Sequence, residues 1–394
     1  MWMKKLIDEA ILRAIETKEV AGVNFLVYKD GKELIYAEGG VQNIDDNKPF
    51  KRDTIFRLFS QTKPITAAAA MILVERGMLD LTDEVSKFLP AYKNIKTIKD
   101  GQVVNCNRPM LVKDLLDMTS GLVYPDINCE AGRQTTKVFL DLEHRIDSDD
   151  PMTTREVADQ LAECVLDFEP GSSFRYGTSA DVLGAVIEVV ACKKFGDFLR
   201  EEIFEPLGMK DTAFYVPEDK MGRLATAYRT STNKDGETRL KEYDWNNLGV
   251  RRDAIKPPAF ESGGAGLLST VDDYMKFGQM LLNGGSYKDA HILKPATVRF
   301  MTSGELSARQ QVALEDWIGL LGYSYNNLLR VCKNSSRSSY ISCNGEYGWD
   351  GWLGAYFSNF PNENMTIVMG TQKVDGGTFA LTRKLRNIVL SHVL

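Results

Sequence analysis

The run Ile55-Phe56-Arg57-Leu58-Phe59-Ser60-Gln61-Thr62-Lys63-Pro64 constrains this chain more than any other segment. An apolar lead-in gives way to an uninterrupted apolar stretch over 67–74, the pattern of a strand feeding a buried helix. Proline is tolerated only in a first helical turn, so Pro64 sets the helix start close to Ser60. Residues three apart share a helix face, which brings the Lys63 amine within reach of the Ser60 hydroxyl. The free N–H groups and positive dipole end of such a helix suit a developing oxyanion. Ser60 and Lys63 are therefore a candidate nucleophile and its amine partner; a capping serine followed by a surface lysine is the alternative reading. A second copy of the spacing, Ser231-Thr232-Asn233-Lys234, lies in the polar run 229–239 beside the turn pair Asp235-Gly236 and reads as solvated loop.

With 394 residues, 43% hydrophobic and 26% charged, the chain can build two domains with real cores. A net charge of −6, with no cluster of Lys/Arg interleaved with aromatics, argues against nucleic acid or an anionic membrane and for a small-molecule partner. Met1-Trp2-Met3-Lys4-Lys5-Leu6-Ile7 opens like a signal segment, but Asp8, Glu9, Arg13 and Glu16 interrupt it, so an amphipathic helix is expected. No stretch approaches the roughly 20 apolar residues of a membrane span, and the expected location is the cytoplasm. Cys106, Cys129, Cys164, Cys192, Cys332 and Cys343 form no C-x-x-C pair, which fits reduced thiols. His144, His291 and His392 are isolated from one another, and G-x-S-x-G is absent. No metal or cofactor is expected, and the base serving Ser60 is not expected to be histidine.

A helix over 3–17 is expected, then a hairpin pairing 23–28 with 34–37 across Asp30-Gly31. The C-terminal end mirrors it: strands over 354–358 and 365–369, then a helix with Phe379, Leu381, Leu385, Ile388 and Val389 on one side. Strands from both ends with helices outside them imply one antiparallel sheet. The middle reads as helical, over 110–118, after the capping box Thr153-Thr154-Arg155-Glu156, and over 180–190. The segment 228–258 is polar and irregular, the pattern of a mobile loop bordering a pocket. This gives a discontinuous sheet domain, 1–75 with 255–394, and a mainly helical insertion, 76–254.

Three further segments complete an ordered set. Phe174-Arg175-Tyr176-Gly177-Thr178 precedes a helix, Trp349-Asp350-Gly351 leads into a strand from Trp352, and Glu261-Ser262-Gly263-Gly264 makes a recognisable join. In this order, with Ser60 and Lys63, the chain resembles the penicillin-recognising serine hydrolases: class C β-lactamase relatives, and most closely the family VIII carboxylesterases. The likeness runs from about residue 5 to the C-terminus and is densest over 56–90. It implies a β-lactamase-like fold of α/β (α+β) class, an antiparallel sheet flanked by terminal helices plus an inserted all-helical domain. It further implies Ser60 as the acylated nucleophile, Lys63 and Tyr176 as the general-base pair, and the backbone N–H groups of Ser60 and Trp352 as the oxyanion hole. Thr178, Trp349, Asp350 and Gly351 would contact substrate.

The departures are informative. Thr178 stands where asparagine is usual in the family, and Trp349-Asp350 where a cation and a hydroxyl would hold a substrate carboxylate. An aspartate there repels carboxylates, and Trp349 looks like the esterase branch. If Asp350 faces the pocket, an amine-bearing substrate follows. The expected activity is hydrolysis of small carboxylic esters. The alternatives are an amide-cleaving relative (D-aminopeptidase, DD-peptidase or weak β-lactamase) and a non-catalytic penicillin-binding-like sensor. Asp80, Asp83 and Glu84 read as caps and surface charges.

Overall fold

The computed structural model describes residues 2–234, 236–374, 376 and 380–394; Met1, Asp235 and Phe379, each named in the expectations above, lie outside them. The two ends of the chain meet in one sheet. Strands β1 (Gly22–Lys29) and β2 (Lys32–Asn43) turn through Asp30 and Gly31, whose φ values of 52° and 73° are the paired positive angles of a type I′ hairpin. After β3 (Lys48–Pro49) the sheet resumes much later with β4 (Tyr323–Asn326), β5 (Leu329–Cys332), β6 (Tyr347–Asp350), β7 (Tyr356–Phe360) and β8 (Met365–Thr371). The order is β4-β5-β6-β7-β8-β1-β2-β3 and every neighbouring pair is antiparallel. The first strand registers on the last, from Val23 opposite Thr371 to Lys29 opposite Met365.

Side-chain alternation decides which helices cover which face. Val23, Phe25 and Val27 share a cluster with Ile7 and Ile11 of α1 (Trp2–Glu16), and with Leu381, Leu385 and Val389 of the helix Ala380–Val393. Leu26, Phe357 and Val368 belong to the larger cluster inside the molecule. With both faces covered, β8 is buried along its whole length.

Two helices in that larger cluster position the site. The helix α2 (Lys63–Glu75) buries Ile65, Ala67, Ala68, Ala69, Ala70, Met71, Ile72 and Leu73, so it is apolar all round, as a central helix must be. It packs against Ser179–Ala191, which is buried in the same way from Ser179 to Ile187. Both helices begin at the candidate site.

Several expectations are corrected. The interval 76–254 holds the helices Glu130–Arg145, Thr154–Ala162 and Ser179–Ala191, but also two hairpins. One pairs Lys96–Lys99 with Gln102–Asn105 across Asp100 and Gly101, an Asp-Gly turn with φ of 51° and 76°. The other pairs Tyr228–Thr232 with Thr238–Glu242, inside the segment expected to be irregular. There β-branched Thr230 and Thr232 faced by Leu240 and Thr238 give enough pairing for strands. The expected helix over 110–118 shortens to Val112–Leu116, because Met118 takes a positive φ of 56°. Among the described residues no helix is long and apolar enough to cross a membrane.

Candidate active site

Ser60 sits in a short 3₁₀ turn, Phe59–Thr62, that runs directly into α2, with Pro64 in its first turn. The chain reverses sharply here: Phe59, immediately before Ser60, holds a φ of 46°, a conformation an L-residue keeps only when its surroundings enforce it. Those surroundings are on hand. Tyr274 Oη donates to Gln61 O at 2.7 Å, Leu267 N donates to Thr62 Oγ1 at 3.2 Å, and Leu58 N donates to Leu267 O at 2.9 Å. Gly351 closes against the same turn, and a Cβ on it would lie 2.2 Å from Leu58 O. Gly351 therefore serves close backbone approach, which is its part in the site.

Lys63 is fully buried. Its Nζ lies 3.2 Å from Ser60 Oγ, 2.9 Å from Tyr124 Oη and 2.8 Å from Gly264 O. Burial pushes its pKa down from 10.5 to about 7, and the Asp181 carboxylate pulls the other way. The amine can thus lose its proton near neutrality. Gly264 O can only accept, so one N–H is committed to it. With a second N–H on Tyr124, the lone pair of a neutral amine is left for the Ser60 hydroxyl.

Tyr176 lies across the site from the Lys63 stem. Its ring is 4.6 Å from Lys63 Nζ, its hydroxyl is hydrogen-bonded with Ser60 and accepts from Trp349 Nε1 at 2.9 Å, and burial pushes its pKa up. The phenol therefore stays protonated at neutral pH. Rings fix its place: Tyr124, Trp317 and Trp349 centroids lie 5.7, 5.5 and 5.4 Å away. Gly177 is required beside it, since a Cβ there would lie 2.2 Å from Leu122 O.

Two cavities open on Ser60, Tyr176 and Trp352. One, of about 630 Å³, is walled by Trp317, Ile318, Leu320, Tyr340 and Trp349, with Asp350 and Arg383 at its border. The other, of about 380 Å³, is walled by Phe59, Tyr124, Phe139, Leu140 and Leu248. Trp352, expected to give the second oxyanion-hole N–H, stands between them with its ring edge-on to Phe59 at 5.1 Å.

The structure thus brings Ser60, Lys63, Tyr176, Trp349, Asp350, Gly351 and Trp352 together, and changes the meaning of two expected substrate contacts. Thr178 does not reach either cavity. It is fully buried at the N-cap of the helix Ser179–Ala191, and its hydroxyl has no hydrogen-bond partner among the described residues. Asp350 borders the larger cavity, but its carboxylate accepts from Arg330 Nη1 at 2.7 Å. That guanidinium, buried and carried by β5 itself, matches the charge expected to select amines. Tyr124, Asp181, Gly264 and Trp317 were missed. Of these only Gly264 lies in a segment whose Gly-rich text marks it in the sequence.

The β-lactamase family profile matches residues 7–390. The chain belongs to the β-lactamase family. Within that family it is 31% identical over 346 residues to Protein Rv1367c of Mycobacterium tuberculosis, covering 86% of this chain and 81% of that one. It is 31% identical over 280 residues to Esterase EstB of Burkholderia gladioli, 68% of each chain. Among solved structures it is similar to EstCE1, described as a hydrolase with promiscuous acyltransferase activity, with a TM-score of 0.82, 26% identity and 98% of both chains covered. The fold is therefore β-lactamase-like, and the protein is a serine hydrolase of the β-lactamase family, similar to EstB and EstCE1.

Proposed function

We propose that the protein hydrolyses small carboxylic esters through an acyl-enzyme on Ser60, with neutral Lys63 as base and Tyr176 as acid. The observation that carries this is the buried Lys63 amine, brought to about pH 7 and directed at Ser60 Oγ by Gly264 O and Tyr124 Oη. Ser60 Oγ bonds to the ester carbonyl carbon as its proton passes to Lys63 Nζ. The carbonyl electron pair moves to oxygen, between the backbone N–H groups of Ser60 and Trp352. Collapse breaks the bond to the alcohol oxygen, which takes the Tyr176 proton, and the Lys63 ammonium restores it. Water then repeats the sequence on the acyl-enzyme and releases the acid. Trp349 Nε1, donating to Tyr176 Oη, stabilises the transient phenolate.

The test is the initial rate on p-nitrophenyl butyrate beside a chromogenic cephalosporin, for the wild type and Ser60→Ala. Ester turnover lost in Ser60→Ala, with little cephalosporin cleavage, is the expected result. Ester turnover kept by Ser60→Ala overturns it.

The paired cavities favour a second reading, acyl transfer to an alcohol. Separate chambers on either side of one serine give acyl group and alcohol their own seats, so an acceptor alcohol can occupy one while the acyl-enzyme fills the other. Propyl butyrate forming from p-nitrophenyl butyrate and 1-propanol at the expense of butyrate supports it. Butyrate as sole product at saturating alcohol sinks it.

A further inference from the structure

A carboxylate stands behind the amine. Asp181 lies in the first turn of Ser179–Ala191, five residues after Tyr176, and is 3% exposed. Its Oδ1 accepts from Ser262 Oγ at 2.5 Å and from Gly264 N at 3.0 Å. The same Gly264 residue offers its carbonyl to Lys63 Nζ at 2.8 Å. One glycine therefore carries a carboxylate on its N–H and the amine on its C=O. Its lack of a side chain is what allows this: a Cβ would lie 2.9 Å from Asp181 Oδ2 and 3.0 Å from Tyr124 Oη.

We propose that Asp181 is the positioning counter-ion of this site: through Gly264 and Ser262 its carboxylate holds the Lys63 amine against Ser60 and sets the pH at which that amine gives up its proton. The inference rests on Lys63 being the base. A buried ammonium with no countercharge would be driven almost wholly neutral, and an amine of very low pKa is a poor proton acceptor. A carboxylate in direct contact would instead lock the ammonium in place. Set one peptide away, Asp181 leaves the amine between these limits. Burial raises the Asp181 pKa above its usual value, opposed by Ser262, Lys63, Gly264 N and its own backbone N–H, and the positive end of the Ser179–Ala191 helix adds to the support for the ionised form.

Around Lys63 stand Ser60 from its own turn, the phenols Tyr124 and Tyr176, and the Gly264 carbonyl. Around Asp181 stand Ser262, Gly264 N, Lys63 and, further off, the phenols Tyr92 and Tyr176. The phenols are pushed up by burial and do not titrate near neutrality. Glu261 is the nearby carboxyl that does, raised by burial to about 7, but it faces away, accepting from Gly196 N at 2.7 Å.

The test reads Lys63 directly. Lysines labelled with ¹³C at the ε-carbon are titrated by NMR in wild type, Asp181→Asn and Glu261→Gln, with Lys63→Met identifying the resonance. The acid limb of kcat/KM on p-nitrophenyl butyrate is followed in parallel. Asp181→Asn is expected to move the Lys63 midpoint toward acid by about one pH unit or more, with the acid limb following and the upper plateau reduced. Glu261→Gln should leave the midpoint in place. Ser262→Ala, which removes one donor from Asp181, should shift it the same way by less and serves where Asp181→Asn does not fold. An unmoved Lys63 midpoint in folded Asp181→Asn, or in Ser262→Ala if that is the variant that folds, overturns the inference. A midpoint that moves while the acid limb stays fixed leaves Asp181 as counter-ion and refutes Lys63 as the base.

Discussion

Replacing Lys63 by methionine is expected to remove the chemistry and to change the stability by an amount that depends on pH. Lys63 is fully buried, and burial lowers its pKa from 10.5 to about 7. A lowered lysine costs stability: below pH 7 both folded and unfolded chains are protonated there and the cost is full, on the order of 4–5 kcal/mol at about 1.4 kcal/mol per pKa unit. As pH rises from 7 toward 10.5 the unfolded chain still holds a proton that the folded chain has lost, so wild-type stability climbs. Methionine, similar in length and apolar, carries no such term. It leaves Gly264 O and Tyr124 Oη without their donor, a loss of about 1–3 kcal/mol for each buried acceptor that offsets much of the gain, but one that does not vary with pH. The difference in urea-unfolding free energy between Lys63→Met and wild type should therefore fall by roughly 2 kcal/mol between pH 7 and pH 9. The same variant should lose about 10²–10⁴-fold in kcat/KM. A stability difference that is flat across this range would mean that folded Lys63 keeps its ordinary pKa, and the reading of a neutral base would fall.

Other outcomes follow from the same geometry. Trp349→Phe keeps the ring contacts but removes the Nε1–H donor to Tyr176 Oη, so kcat should drop about 10–100-fold with little change in KM, measured on p-nitrophenyl butyrate. Burial pushes Glu346 up, but Arg386 and Arg330 outweigh it and hold it at about 2. Glu346→Ala should cost about 3–5 kcal/mol in denaturant unfolding, because it strands the buried Arg386 guanidinium, whose carboxylate partner it is. Asp350→Asn should leave the ratio of rates on cationic and neutral esters unchanged, since Arg330 already matches the carboxylate; a shift of that ratio by tenfold would restore Asp350 as a selector of amines.

What could be read from the sequence was what local chemistry encodes. Ser60, Lys63 and Pro64 declare a nucleophile at a helix start because their relation is set by helical spacing, and Asp30-Gly31 declares a hairpin because such pairs take two positive φ angles at least cost. The strands Tyr323–Asn326 and Leu329–Cys332 gave no such signal. Their turn uses Asn327 and Leu328 at φ of 48° and 59°, without glycine, and their buried faces include Ser324, Asn326 and Arg330. The same gap hid the partner of Asp350, since Arg330 reaches it from the neighbouring part of the sheet, 20 residues earlier. Tyr124 and Asp181 were invisible for a related reason. Tyr124 meets Lys63 across 61 residues of chain, and Asp181 meets Gly264 across 83, through folding that no spacing rule reports. Thr178 misled because its place in an ordered motif suggested a pocket contact, while the start of its helix turns it inward.

The central claim is that Ser60 becomes covalently acylated, and trapping it with a p-nitrophenyl alkylphosphonate tests that most directly, because the adduct cannot be hydrolysed onward at a useful rate. The account predicts one equivalent of p-nitrophenol released per chain, loss of esterase activity in step with it, and the phosphonyl group on the peptide carrying Ser60, with no reaction in Ser60→Ala. Label on any other residue, or equal release by Ser60→Ala, would contradict it.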